Sequence, residues 1–302
     1  MAWLSGWWPL DTGTLKKSVI IFGCGYIGSE LARVCLAEGW AVSAFTRNLQ
    51  TGYNLEQMGA EVHTGNLHSD SWWKEISSRF DYVVNTVGAA SPTVEGYEKS
   101  YLQGMQSILG WIEKGGGALQ SLVFTSSSSV YPQTDGSLVK EDSSTDGVSE
   151  RGQILLSAER ECLSGIPQFS FSRKVIRFSG LYGPGRHLLV DKIRRGEPMR
   201  GSPDRYLNLL HRDDAVSSIL SVLSSADWSE VFNACDGQHA TRGQIAKWVA
   251  QRLGVQETEF TGIGSDRGAN RRVDPSKLKQ TCNWSPQFPN FESGYEDFLA
   301  RE

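Results

Sequence analysis

Short apolar runs alternate along this chain with stretches whose apolar residues recur at helical spacing. The runs predict six buried strands, near residues 19–22, 41–45, 61–63, 81–86, 121–125 and 175–178. Amphipathic helices are predicted between them, among them one from Ile27 to Gly39 and one over residues 95–114. Strands that alternate with helices in this way predict an α/β chain with a doubly wound parallel sheet.

The turn after the first strand carries a motif with a defined chemistry. Residues 23–28 read G-C-G-Y-I-G, so glycines stand at the first, third and sixth positions. In that spacing the first glycine permits a tight turn, the second lets backbone N–H groups approach a pyrophosphate, and the third lets the helix pack on the strand. We therefore predict a Rossmann-type site that binds a dinucleotide cofactor through Gly23, Gly25, Tyr26, Ile27 and Gly28.

The residue after the second strand discriminates between the two nicotinamide cofactors. An acidic side chain about twenty residues past the glycines would bind the ribose 2′-hydroxyl of NAD. This chain has Thr46, Arg47 and Asn48 there. Because the planar, permanently charged fork of Arg47 suits a 2′-phosphate, we predict that NADP is preferred over NAD. The alternative is a solvated surface arginine, with no second basic residue beside it.

Further cofactor contacts are predicted where later strands end. Asn66 and Leu67 follow the third strand in a loop that is placed to line an adenine pocket. Val87, Gly88 and Ala89 follow the fourth strand, and their small size lets a ligand lie close to the backbone.

Composition narrows the class of partner. The chain has 302 residues, with 30 Lys and Arg against 34 Asp and Glu, so its net charge of −4 offers no general attraction for nucleic acid or an anionic membrane. Its five cysteines are scattered and odd in number, which argues against a disulfide framework and a metal site. We expect a cytoplasmic monomer or homodimer that acts on a small molecule, without nucleic-acid or membrane partners.

The opening of the chain, residues 1–16, forms a separate Trp-rich extension. It holds three tryptophans but lacks the charged start and the clean apolar segment of a signal peptide. Two interpretations remain open, a flap whose indoles pack on the body and a poorly ordered tail.

Three later segments carry a family resemblance. The fifth strand runs into four serines, Ser126–Ser129, followed by Val130-Tyr131; residues 182–186 read Tyr-Gly-Pro-Gly-Arg, and residues 211–214 read His-Arg-Asp-Asp. In combination they resemble the extended short-chain dehydrogenase/reductase family, the NAD(P)-dependent epimerase/dehydratase group, over about residues 17 to 300. The resemblance implies a cofactor domain over residues 17–185 and a smaller C-terminal α/β substrate lobe over residues 186–302.

The resemblance also implies site residues. Ser127 holds the place of the family's catalytic serine, Ser126 lies beside the cofactor, and Arg186 and Tyr182 are placed to contact substrate. The family's Tyr-x-x-x-Lys pair is not matched. Its two positions fall on Arg151 and Leu155, neither of which can act as the usual proton donor or lower the pKa of a phenol. The chain is thus identified as an atypical member of the family.

Other groups near the predicted site have two interpretations each. Tyr131, Tyr182 and His187 could replace the missing proton donor or could be packing and surface residues. Arg271 and Arg272, in the family's short final strand, face either the substrate cleft or solvent.

The smaller lobe is expected to contain a strand near residues 206–209, a helix over 213–224, a strand at 230–233, and a helix over 241–253 that Thr241 caps. These assignments complete the predicted fold.

Two functions from different classes follow. The first is an NAD(P)-dependent oxidoreductase or epimerase with a non-standard proton donor, acting on a small polar or sugar-like substrate. The second is a catalytically silent dinucleotide-binding protein that acts as a sensor or scaffold. The missing Tyr and Lys favour the second, whereas the serine cluster favours the first.

Overall fold

The computed structural model describes residues 16–115, 119–226, 229–262 and 268–300. The Trp-rich extension therefore lies outside the described residues, apart from Lys16. Thirteen strands occur in the described residues: β1 (Ser18–Phe22), β2 (Ala41–Thr46), β3 (Glu61–Thr64), β4 (Tyr82–Asn85), β5 (Ser121–Ser127), β6 (Leu138–Val139), β7 (Ser172–Phe178), β8 (Gly180–Tyr182), β9 (Met199–Arg200), β10 (Leu209–His211), β11 (Ser229–Ala234), β12 (Phe260–Thr261) and β13 (Arg272–Val273).

Ten α-helical segments connect these strands within the same described residues. They are α1 (Gly28–Ala37), α2 (Leu49–Gln57), α3 (Val94–Tyr97), α4 (Gly104–Gly115), α5 (Glu150–Ser164), α6 (Leu188–Arg194), α7 (Arg212–Ser224), α8 (Arg242–Leu253), α9 (Ser276–Thr281) and α10 (Phe291–Leu299). Short 3-10 turns occur at Ser71–Lys74 and Ser128–Val130.

Seven of the strands form one parallel sheet in the order β3-β2-β1-β4-β5-β7-β11. The chain runs outward from β1 to β3, then crosses back to β4 and continues in the other direction. This order confirms the predicted Rossmann-type α/β fold, and all six predicted strands are present. It also places the carboxyl ends of β1 and β4 side by side, which is where such folds bind ligands.

One strand placement needs correction. The sequence pattern put the strand near residues 230–233 in the smaller lobe, but the structure places β11 beside β7 in the main sheet, with Phe232 opposite Ile176. A short apolar run shows that a strand is buried, and it does not show which neighbour buries it. The strand expected near 206–209 instead begins at Leu209 and pairs with β8.

Alternate residues of the central strand face opposite layers of helices. Val19 and Ile21 pack into a core with residues of α1 and α7, whereas Ile20 and Phe22 pack into a core with residues of α4 and α5. Each of these four side chains has no exposed surface, which explains why β1 reads as an unbroken apolar run.

The predicted helix over residues 95–114 is not uniform. Its α3 and α4 segments are joined by a π-helical segment, Glu98–Gln103. Such wide turns concentrate at functional sites. Here the segment brings Lys99 and Ser100 to the edge of a cleft described below.

Three two-stranded parallel pairs lie outside the main sheet, namely β8 with β10, β9 with β12, and β6 with β13. The β6–β13 pair confirms the short final strand predicted at Arg272. The helix predicted over 241–253 is also present, and Thr241 caps it by exchanging hydrogen bonds with Gln244 in a capping box.

Candidate functional site

The glycine turn after β1 leaves no room for side chains at two of its three glycines. Gly23 has a φ of +89°, and a Cβ atom there would lie 2.6 Å from the backbone of Val87. A Cβ atom on Gly28 would lie 2.5 Å from the carbonyl oxygen of Gly23. Gly25 differs, because a Cβ atom there meets nothing within 4 Å. Gly23 and Gly28 thus hold the turn against β4, while Gly25 leaves space open for a ligand.

A cleft of about 420 Å³ opens over this turn at the carboxyl edge of the sheet. It extends from the glycines past the end of β2 to the π-helical segment, where Lys99 and Ser100 line it. The structure brings together nine of the residues predicted from the sequence on the wall of this cleft: Gly23, Gly25, Tyr26, Ile27, Arg47, Leu67, Val87, Gly88 and Arg186.

Four predicted cofactor contacts do not line the cleft. Gly28 is buried beneath the turn, and Asn66 is exposed while its carbonyl accepts a hydrogen bond from Ser69. Ala89 donates its N–H to the Tyr101 hydroxyl at 3.2 Å. The Ser126 hydroxyl is buried and donates to buried Glu159 on α5 at 2.6 Å. The sequence located these residues at strand ends correctly, but strand position does not determine the direction of a side chain.

The end of the cleft near β2 is more basic than the sequence indicated. Arg47 is exposed and makes no hydrogen bond or ion pair with any described residue. His68 and Lys99 line the same cleft. No basic residue adjoins Arg47 in the sequence, and Lys99, which is distant in sequence, lines the same cleft only through the fold.

Arg186 lies beside the glycine turn. Its guanidinium carbon is 5.5 Å from the centre of the Tyr26 ring, and that of Arg212 is 5.9 Å from the same ring. Burial raises the pKa of Tyr26 to about 12 although the two cations oppose this. Arg186, assigned to the substrate from the sequence, thus occupies the wall of the cofactor cleft.

Tyr182 points away from the cleft. Its ring is buried, 4.9 Å from the ring of Tyr295 and 5.3 Å from that of His211. Burial also raises its pKa. The strand β8 directs the side chain into the core of the smaller lobe, so Tyr182 is not among the residues that line the cleft. The substrate contact expected of Tyr182 stays a prediction.

Ser127 ends β5 at the same edge of the sheet as the cleft. Its Oγ accepts a hydrogen bond at 3.1 Å from the backbone N–H of Ser129 and so caps the 3-10 turn Ser128–Val130. No described residue accepts a hydrogen bond from the Ser127 hydroxyl. The hydroxyl proton is thus available for an oxygen atom of a bound molecule.

The two residues that the sequence resemblance assigned to the places of the family's Tyr and Lys lie one turn apart on α5. Arg151 is exposed and donates to the carbonyl of Pro92 at 3.1 Å, with its guanidinium over the Tyr97 ring. Leu155 is buried in an apolar cluster with Tyr131 and Val139. Neither the Arg151 guanidinium nor the Leu155 side chain can act as the proton donor to a substrate.

A buried ion pair lies directly behind the serine turn. Arg177 on β7 donates to both carboxylate oxygens of Glu159 on α5, at 2.7 to 3.2 Å. Burial alone would lower the pKa of Arg177, but the hydrogen bonds to Glu159 outweigh this effect and raise it. With the bond from Ser126 to Glu159, the pair fixes α5, β7 and the end of β5 relative to one another.

Tyr131 belongs to the same network. Its hydroxyl accepts from Arg177 at 2.8 Å and donates to Asn233 at 2.8 Å, and its side chain has no exposed surface. Burial raises its pKa, and the bond to Asn233 uses its only proton. His187 is also buried, with its ring stacked 3.2 Å from that of Phe298. The contacts of Tyr131 support its packing interpretation, whereas the surface position expected of His187 is wrong, because its ring is buried.

Arg271 faces the serine turn from the other lobe. Its Nη2 donates to the carbonyl oxygen of Ser128 at 2.7 Å, while its Nε and Nη1 are buried without a hydrogen-bond partner. Burial lowers its pKa to about 10. Arg177 is fully paired by hydrogen bonds, whereas Arg271 is only partly paired. The sequence could not reveal this difference, because Arg271 and its partner Ser128 are 143 positions apart.

Two kinds of feature are absent from the described residues. No group of three or more His, Cys, Asp or Glu side chains is arranged to hold a metal ion. No described helix has the length and apolar character needed to cross a bilayer.

Comparison with known proteins identifies the class. The model of the NAD dependent epimerase/dehydratase family matches residues 19–235. The chain therefore belongs to that family, which agrees with the resemblance found in its sequence.

Individual relatives are distant. Protein YeeZ of Escherichia coli K12 is 27% identical over 283 residues, which cover 91% of this chain and 97% of that protein. The chloroplast stem-loop binding protein of 41 kDa b from Arabidopsis thaliana is 25% identical over 300 residues, covering 90% and 76% of the two chains. The UDP-glucuronic acid 4-epimerase of Bacillus cereus, solved with UDP-glucuronic acid and NAD, has a TM-score of 0.79 at 19% identity and covers 94% of this chain and 100% of its own.

The buried pair behind the serine turn gives a stability prediction. Replacing Glu159 with Ala leaves the Arg177 charge buried and unpaired, so we expect the free energy of unfolding to fall by about 3–5 kcal/mol in urea titrations. The matched control is Glu197→Ala, which removes the exposed partner of Arg195 and should leave the free energy of unfolding nearly unchanged. The double variant Glu159→Leu with Arg177→Met should recover much of the loss. A cost for Glu159→Ala as small as the control's would contradict this interpretation.

Proposed function

We propose that this chain is an NADP-preferring oxidoreductase or epimerase that acts on a small polar or sugar-like substrate. The observation that carries the proposal is the glycine-turn cleft, which lies at the same edge of the sheet as the available hydroxyl of Ser127. The nicotinamide ring would lie toward Ser127, whose hydroxyl would hydrogen-bond the reacting oxygen of the substrate. Hydride transfer is the chemistry that the bound nicotinamide would supply.

Arg271 supports a polar substrate. Its Nη2 binds the carbonyl oxygen of Ser128 next to Ser127, its other two guanidinium nitrogens are unpartnered, and a buried donor without an acceptor is costly. The UDP-glucuronic acid held by the Bacillus cereus relative is a sugar derivative and supports the same class. The proton donor would be a group other than Tyr131, whose hydroxyl proton is already used by Asn233, or a water molecule.

A second candidate is favoured by α5. Because Leu155 is buried among apolar side chains and Arg151 points to Pro92, neither aligned position supplies the family's acid. A silent dinucleotide-binding protein would have the same cleft and would bind the cofactor without turnover. In the enzyme, a carbonyl or alcohol compound would oxidise or reduce the bound cofactor. In the silent protein, no such compound would do so.

The cofactor preference is tested by Arg47→Ala. Loss of a charged donor to the 2′-phosphate should weaken NADPH binding about tenfold or more and leave NADH binding within about twofold. Quenching of tryptophan emission or the heat of binding measures both affinities. Arg195→Ala, which changes an exposed arginine of the smaller lobe, serves as the control. Equal affinities of the wild type for both cofactors would remove the NADP preference from the proposal.

The catalytic role is tested by Ser127→Ala. With a panel of small carbonyl and alcohol compounds, turnover seen in the wild type should fall on the order of 10²-fold, since a hydrogen bond to the reacting oxygen is lost. Cofactor affinity should stay unchanged. Ser129→Ala is the matched control, because its side chain is exposed and its backbone N–H is retained. Full activity in Ser127→Ala would exclude Ser127, and tight cofactor binding without turnover in the wild type would favour the silent protein.

A further inference from the structure

A side chamber of about 230 Å³ adjoins the cofactor cleft at the carboxyl end of β2. The two spaces share four lining residues, Arg47, His68, Lys99 and Ser100, so the chamber opens from the cleft at the end where Arg47 lies. Neither the sequence motifs nor the glycine turn accounts for this chamber.

The lining of the chamber suits a small anion better than a ring. Apart from Ala90 and Gly96, its described walls consist of polar or charged side chains, including the hydroxyls of Ser91 and Thr93, which lie 2.8 Å apart. The described lining has no Phe, Tyr, Trp or large aliphatic side chain to stack against a base, and its one ring is the imidazole of His68. Two cationic side chains and several hydroxyl donors are instead the partners that a phosphate group takes.

The two cations, Arg47 and Lys99, differ in their partners within the protein. Arg47 makes no hydrogen bond or ion pair with a described residue, whereas Lys99 Nζ lies 2.7 Å from Glu95 Oε1, one helical turn away. The Lys99 side chain is about half exposed and that of Glu95 more so, and exposed pairs at this spacing are weak. A doubly charged phosphate therefore offers Lys99 a stronger partner than Glu95 does.

The backbone explains how Lys99 reaches this position. Lys99 and Ser100 are consecutive residues of the π-helical segment, and both line the cleft and the chamber. The Ser100 hydroxyl accepts the backbone N–H of Ala90 at 3.0 Å, which ties the segment to the loop after β4. The wide turn thus presents a lysine to the same space as Arg47, which lies 52 positions earlier in the sequence.

We propose that this chamber binds the 2′-phosphate of NADP(H) and that Lys99, together with Arg47, determines the preference for the phosphorylated cofactor. The inference rests on the proposed function, because it requires a dinucleotide with its pyrophosphate at the glycine turn. Lys99 is then a residue that determines cofactor specificity although it lies outside the segment after β2. Glu95 is the internal partner of Lys99 that the phosphate replaces.

The test compares NADPH and NADH affinities of the full chain by titration, in the wild type and in three variants at Lys99 and Glu95. Lys99→Met should weaken NADPH binding about tenfold and leave NADH within about twofold. Lys99→Arg should retain the preference. Glu95→Gln should tighten NADPH binding a few fold, because the lysine is released and a nearby negative charge is removed. Lys247→Met, at an exposed lysine that lies near Glu257 in the smaller lobe, should change neither affinity.

The outcomes separate this inference from the proposed function. If the wild type prefers NADPH and Arg47→Ala abolishes that preference while Lys99→Met leaves it unchanged, the chamber is not the phosphate site and the proposed function stands. An equal loss of NADPH and NADH affinity in Lys99→Met would also overturn the inference, since Lys99 would then act on a part that both cofactors share. If the wild type binds both cofactors equally, the inference and the proposed NADP preference fail together, while the cofactor cleft stands.

Discussion

The close contact between the glycine turn and β4 is the constraint on which the site depends. Gly23 and Gly28 lie so near the backbone and side chains of Val87 and Thr86 that an added methyl group would overlap them. Thr86 strengthens the contact, because its hydroxyl donates to the Gly23 carbonyl at 2.9 Å. The start of α1 is thereby fixed at the carboxyl edge of the sheet, and the cleft forms in front of it.

The second fixed point is the ion pair of Glu159 and Arg177. It holds the end of β5, and hence Ser127, from behind, while Arg271 meets the following turn from the smaller lobe. Buried Arg177 has an anionic partner inside the protein, namely Glu159, and Arg271, whose Nε and Nη1 are buried, lacks one. That difference connects packing to function, because a cation that the fold leaves only partly paired is the one available to a ligand.

Sequence reasoning predicted what depends on local pattern. The six strands, the glycine turn and the end of β2 follow from short apolar runs and from residues a few positions apart. Other features depend on contacts between distant segments. They are the directions of the Ser126 and Tyr182 side chains, the position of β11 in the sheet, and the approach of Lys99 to Arg47. A single sequence does not record which distant segments meet, so these features required the structure.

If the glycine turn is a cofactor cradle and not only a tight turn, Gly25→Ala should weaken cofactor binding without loss of stability. A methyl group there meets no protein atom within 4 Å and lies in the open cleft, so the melting temperature should stay unchanged. Calorimetric titration should show NADPH affinity reduced about tenfold or more, because the added carbon occupies the space of the pyrophosphate. Binding as tight as that of the wild type would contradict the account.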